Sequence, residues 1–376
     1  MSKWQKVKLG DVATYINGCA FKPSDWADSG LPIVRIQNLT GSFREINYFN
    51  GKYNPKYEIN NGDVLISWSA SLGVYIWNNG KAILNQHIFK VVFDKIKIDK
   101  NYFMFAVNSL LQKMEKKCHG ATMKHITKPL FDNMSFPLPP MEEQKKIAAM
   151  LDAVSDLLTK QKQLLSEQDN LIQSTFYDMF GDPIKNEKGW KIEKFKELGT
   201  LERGKSQHRP RNAPELLGGP YPLIQTGDIA QAGLYLDSFS QTYSELGLKQ
   251  SRLWKKGTLC ITIAANIAKT SILNFDACFP DSVVGFINNT ACSIMFIQIW
   301  MSFLQQILES NAPQAAQKNI NLEILGNLDV IVPPLELQQK FAAVAEQIES
   351  EKAKIKSAIA ETQTLFNALM SEYFEE

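Results

Sequence analysis

The sequence predicts an α+β protein in which one plan, a globular block followed by a long helix, occurs twice. Three observations carry that prediction. Residues 139–149 match residues 333–343 at seven of eleven positions at a constant offset of 194: both prolines, Glu142/Glu336, Gln144/Gln338, Lys146/Lys340 and two consecutive alanines. Each copy opens a stretch of about forty residues, 141–180 and 335–374, that holds neither Pro nor Gly. Upstream of each stretch, short segments correspond in order: Trp4…Leu9-Gly10 with Trp190…Leu198-Gly199, residues 32–38 with 222–228, and residues 62–67 with 257–262. Two copies make a tandem duplication and not a solenoid.

Within each block the patterning predicts short strands first, over 32–37, 63–68, 73–77 and 86–93, then over 221–226, 258–264, 270–274 and 283–287. Clusters such as Asn60-Asn-Gly62 separate them. One amphipathic helix follows in each block, over 102–117 and 294–310, and a polar loop with a short strand leads into the proline pair. Strands gathered ahead of a helix mark α+β and not strand–helix alternation.

The proline pairs mark helix starts, because a missing N–H costs nothing in a helix's first turn. Glu142 and Glu336 then fall where the helix dipole favours negative charge. Met150, Leu157, Leu164 and Leu171 recur every seven residues beside a second column of Leu151, Leu158, Leu165, Ile172 and Met179. This double ladder predicts a left-handed helix–helix seam. The second copy, with Ile348, Ile355, Thr362 and Leu369, makes a more polar one. Forty residues at 1.5 Å each give a rod of roughly 60 Å.

Composition narrows the class. At 376 residues, 44% hydrophobic and 10% aromatic, the chain has enough apolar mass for two cores and no disorder signature. No apolar run reaches the roughly eighteen residues of a membrane span, and residues 1–12 lack a signal-type segment, so a cytoplasmic protein is expected. Five cysteines without a Cys-x-x-Cys pair predict reduced thiols instead of disulfides or zinc ligands. The net charge of +2 is unevenly divided. Residues 1–140 carry 18 Lys/Arg against 10 Asp/Glu and residues 181–334 carry 15 against 14, whereas the two helices carry 4 against 7 and 4 against 8. A polyanion would meet the blocks and avoid the rods.

No catalytic constellation emerges. Residues 199–206, Gly-Thr-Leu-Glu-Arg-Gly-Lys-Ser, match the P-loop pattern, which would make the chain a nucleotide-binding enzyme. That mechanism needs a helix starting at the Lys-Ser, and the sequence continues instead through Pro210 and Pro214 without apolar periodicity. As a loop, the stretch gathers Arg203, Lys205, His208, Arg209 and Arg211, which suits phosphate contact. Asn54-Pro-Lys-Tyr57 lacks the second proline of an amine-methyltransferase motif. His87, His119, His125 and His208 have no metal-ligand spacing, so no metal site is expected. The loop that holds Lys117, Lys124 and His125 aligns with the one that holds Lys318 and Asn319, pairing Lys124 with Lys318 and Ile126 with Ile320. A shared lysine with changed polar neighbours is the pattern expected if lysine fixes the phosphate backbone and its neighbours read bases. Gln37, Asn38, Gln225 and Thr226 fall at the ends of matching strands, where they would bond base edges or cap a turn.

With its paired Leu-Gly block starts, Gly120-Ala-Thr-Met-Lys-His-Ile126 and two proline-led helices, the whole chain resembles the specificity subunits of type I DNA restriction-modification enzymes. The second block departs from the pattern at Thr200 and at 312–318. The resemblance implies two target recognition domains (1–140 and 183–334) related by a pseudo-two-fold, and two spacer helices (141–182 and 335–376) forming an antiparallel coiled coil. It implies that each domain reads one half of a bipartite double-stranded DNA site while the helices set the spacing. It further implies two modification (methyltransferase) subunits and restriction subunits as partners. On those partners S-adenosylmethionine, ATP and Mg would sit, leaving this chain without a cofactor or catalysis of its own. Against it stand the P-loop enzyme and a coiled-coil adaptor that binds no DNA.

Overall fold

Tandem prolines followed by forty residues without a helix breaker give two uninterrupted α-helices, Met141–Phe180 and Leu335–Phe374. The structure, a computed structural model, describes residues 4–41, 45–117, 126–208, 210–264, 268–303 and 320–374. The chain divides into two compact units, residues 1–161 with 358–376, and residues 162–357.

In the first unit, β1 (Lys6–Lys8) pairs antiparallel with β10 (Ser135–Pro137), so the block's first and last strands meet where the rod begins. Between them lie β2 (Thr14–Asn17), β3 (Leu31–Val34), β4 (Asn47–Phe49), β5 (Glu58–Ile59), β6 (Val64–Ser67), β7 (Gly73–Ile76), β8 (Ala82–Leu84) and β9 (Ile88–Val92). They form two four-stranded sheets, ordered β2-β9-β6-β7 and β4-β3-β8-β5, with β3 and β8 parallel. The block helix, Lys100–Lys117, starts two residues earlier than its apolar face, because the Asp99 carboxylate accepts the Tyr102 N–H at 2.9 Å. Its buried side includes Tyr102, Phe103 and Val107, in one core with Phe89, Phe131 and Phe136.

The second unit repeats the plan. Strands β11 (Lys191–Lys194) and β19 (Asp329–Val332) join the block's two ends. A five-stranded sheet runs β12 (Gly199–Arg203), β18 (Val283–Asn288), β16 (Leu259–Thr262), β17 (Thr270–Leu273), β14 (Tyr235–Leu236), and a two-stranded one pairs β13 (Leu217–Leu223) with β15 (Gln241–Tyr243). The block helix is described over Ile294–Ser302; the remainder of the stretch expected to 310 lies outside the described residues.

Each rod is clipped to its block by the same repeated residue. Gln144 donates to the Pro139 carbonyl at 2.8 Å and accepts the Asp99 N–H at 2.9 Å; Gln338 does the same with Pro333 at 2.8 Å and Ser293 at 2.9 Å. Both glutamines are buried, and Asp99 and Ser293 each immediately precede a block helix. The internal match at this position is therefore a structural requirement. The first rod stops at Gly181, whose φ of +78° suits glycine and whose N–H closes on the Tyr177 carbonyl.

The double ladder separates into two faces, which corrects the expectation that both columns form the seam. Leu151, Leu158 and Ile172 are buried, whereas Met150, Leu157, Leu164 and Leu171 are 42–47% exposed. Leu151 joins the core of the first block and Ile172 that of the second, so the adjacent column is left partly exposed, with Met150 at its start still touching the neighbouring helix. The helices run antiparallel within each unit. In the first, Tyr373 reaches the Met150 sulfur; in the second, Lys352 meets Asp169 at 2.6 Å and also bonds Glu349. Burial pulls the Lys352 pKa down, but these two carboxylates outweigh it and hold the ammonium above its ordinary value.

Candidate nucleic-acid interface

In each block, chain crossings force backbones together at one place. In the first block, Val34 at the end of β3 accepts the Asn85 N–H at 3.0 Å, and Cys19, just after β2, exchanges bonds with Leu84 (2.8 Å) and Gln86 (2.7 Å). The Trp68 N–H, just after β6, donates to His87 at 3.2 Å. The Trp68 carbonyl accepts the Ile126 N–H at 3.0 Å, and its indole donates to Asn17 at 3.2 Å. Residues 85–87 are thus a hub around which the ends of β2, β3 and β6 converge, with Ile126 joined to it through Trp68.

The second block builds the same hub at residues 278–283. Ile224 N–H donates to Cys278, Gly204 N–H to Val283, and Ile263 N–H to Ser282. Glycine is demanded in both copies. A Cβ on Gly18 would stand 2.0 Å from the Asn85 carbonyl oxygen, and one on Gly204 2.3 Å from that of Phe279. Gly204 is the second glycine of the P-loop match. Its role is close backbone approach, and residues 199–203 form β12 in the β18 ladder, so the loop expected over 199–206 begins only at Gly204 and Arg203 is a strand residue; no α-helix starts at Lys205-Ser206. The nucleotide-site geometry that the motif would require is not what these residues build.

Around the second hub, Arg203, Lys205 and Arg211 are exposed; Arg211 pairs with Asp281 at 2.6 Å. Arg252 stacks over Trp254 at 4.0 Å and pairs with Glu202. Arg209, Lys124, His125, Lys318 and Asn319 lie outside the described residues, and Lys117 ends the block helix. The amide pairs sit in helical turns just past the strands and not in them, because a side chain three residues on captures the turn's first N–H. Asn38 accepts the Arg35 N–H at 3.0 Å, and Asp228 accepts that of Gln225 at 2.7 Å. Asn38 is a cap whose amide also donates to Glu45, while Gln37, Gln225 and Thr226 are half-buried on the same turns. Gln225 contacts Gln241 at 3.3 Å.

Other chemistry finds structural employment. Asn54 caps a turn by accepting the Lys56 N–H at 3.1 Å, which accounts for the partial methyltransferase motif. Cys260, Cys278 and Cys292 are buried free thiols and Cys19 is partly exposed. Burial pushes Cys278 up to about 11 and Cys292 to about 12. Among the described residues, no three His, Cys, Asp or Glu side chains are grouped to hold a metal, and no helix is long and apolar enough to cross a membrane. Sequence reasoning missed Gln250 and Ser251, which bond the cationic loop from some forty residues away and carry no local signal.

Two copies of one α+β plan, each with loops leaving a common hub of strand ends and a long helix following, define a duplicated recognition protein. The family described as "Type I restriction modification DNA specificity domain" matches residues 1–167 and again residues 187–362, and the chain belongs to it. It is 23% identical to the type I restriction enzyme EcoBI specificity subunit of Escherichia coli, over 99% of this chain and 85% of that one. It is 30% identical to the MjaVIII specificity subunit of Methanocaldococcus jannaschii over 41% of this chain and 40% of the relative. The fold is shared with the crystal structure of a type I restriction-modification S subunit from M. genitalium, at a TM-score of 0.60 and 14% identity, covering 100% of this chain and 97% of that chain.

Proposed function

We propose that this chain selects the DNA site for a type I restriction-modification complex, each block binding one half of a bipartite sequence. Residues 1–140 and 183–334 are assigned as the two recognition domains. Residues 141–182 and 335–376 are assigned as the helices that set the spacing and receive two modification subunits, with restriction subunits completing the assembly. The observation that carries the reading is the repeated hub: the same chain crossing in each block gathers the ends of three strands, and loops that differ in side chain leave from it. That is the arrangement of a fixed frame with exchangeable readers. The exposed Leu157, Leu164 and Leu171 support the docking role, since heptad-spaced apolar residues suit a helix from a protein partner.

On this reading the chain performs no catalysis and works in the cytoplasm. S-adenosylmethionine, ATP and Mg belong to the partner subunits, whose methyltransferase acts on a flipped base. Two half-sites about one helical turn, roughly 34 Å, apart fall within the reach of a rod of roughly 60 Å. Methylome sequencing of the host with and without the gene tests the reading. A two-part methylated motif that disappears on deletion is expected, and an unchanged methylome would contradict it.

A further inference from the structure

The cationic loop of the second block is pinned before any ligand arrives. Gly204 N–H bonds the Val283 carbonyl at 2.9 Å, and the Ser251 hydroxyl donates to the Lys205 carbonyl at 2.8 Å. Gln250 Oε1 accepts the N–H groups of both Gln207, at 2.6 Å, and His208, at 3.1 Å. From this pinned backbone Arg203 and Lys205 project exposed, with Arg211 held by Asp281.

The first block keeps the glycine bond, Gly18 N–H to the Ile88 carbonyl at 3.1 Å, but among its described residues nothing matches the Gln250 clamp. Ile59 and Trp254 occupy equivalent places, pairing with Ala82 and Ala277. Four residues before them stand Pro55 and Gln250, and proline offers no side-chain acceptor. Residues 17–27 are held by other bonds, Lys22 N–H to the Asp25 carboxylate at 2.7 Å and Ala27 N–H to Tyr48 at 2.9 Å. That loop has a single lysine beside Asp25, with Phe21 and Trp26 in place of further cations. Position is shared; charge and clamping are not.

We propose that Gln250 is a positioning residue that presets the cationic loop of the second block as a phosphate clamp, a device the first block lacks. The inference rests on the DNA-binding function proposed above. A loop already ordered gives up less conformational freedom on binding, so its cations contribute more of their attraction to affinity. The two recognition halves then hold DNA differently, the second gripping phosphate through a preformed loop.

The test measures DNA affinity of the complex assembled with its modification subunits and carrying Gln250→Ala, Lys205→Ala or both. Gln250→Ala is expected to weaken binding about ten-fold, in keeping with the loss of two hydrogen bonds. When Lys205 is already alanine the same change is expected to cost only about two-fold, because the clamp acts through the cation it places. Equal losses in both backgrounds, or none in either, overturn the inference. Should Gln250→Ala fail to assemble, Ser251→Ala, which releases the Lys205 carbonyl, is read in the same cycle with the same expectation. A wild-type complex that does not bind DNA takes the proposed function down as well, whereas wild-type binding matched by the Gln250→Ala variant removes the clamp alone.

Discussion

Gln338 shows how much one repeated side chain can carry. It is fully buried, and its amide satisfies a carbonyl at the rod's start and an N–H at the start of the block helix. Alanine there strands both groups in a dry site, which is expected to cost about 2–3 kcal/mol. Gln144→Ala is expected to behave alike, since its two bonds are the same. Denaturant titration checks this, and a change under about 0.5 kcal/mol at both sites would contradict the clip. The repeat of this glutamine was plain in the sequence; its partners were not, because Asp99 and Ser293 lie some 45 residues away and only the fold brings them near. The reverse holds at Gly204. The motif was conspicuous, yet the reason for the glycine is a carbonyl of Phe279, 75 positions on, which no local pattern records.

Helices proved the most legible elements. The two rods run over the residues bounded by the proline pairs, because local breakers decide where a helix starts and stops. Periodicity revealed that the rod has two apolar columns, while which one is buried depends on a neighbour far along the chain. The difference sets up opposite outcomes for adjacent leucines. Leu158→Ala, in the buried column, is expected to destabilise the chain by about 2–3 kcal/mol. Leu157→Ala, in the exposed column, is expected to leave stability within about 0.5 kcal/mol and to weaken assembly with modification subunits. Thermal unfolding paired with a pull-down of those subunits separates the two, and a stability loss at Leu157 matching that at Leu158 would contradict the assignment. Strands were less legible. The segments expected to run to residues 37 and 226 end earlier, where Asn38 and Asp228 capture backbone N–H groups and turn the chain. The short strands β4, β5, β8 and β15 gave too little alternation to be read, and β2 and β12 were not expected either, β12 lying in the stretch read as a loop.

At the scale of the whole molecule, duplication explains why each block repeats one plan of strands, helix and rod. Each block is closed on itself by its first and last strands, β1 with β10 and β11 with β19, so its loops are free to change without disturbing the rods. Basic charge concentrates in the first block and acidic charge in the rods, which favours a polyanion at the one and disfavours it at the other. The sequence made this plan legible through the offset of 194, but not the bases that are read, because base readout depends on loop geometry and DNA shape. The central claim is that the blocks are independent readers of two half-sites. It is tested most directly by replacing residues 1–140 with the corresponding block of another family member and sequencing the methylated motif. The account predicts that one half of the bipartite site changes while the other half and the spacer stay the same. A change in both halves would contradict it.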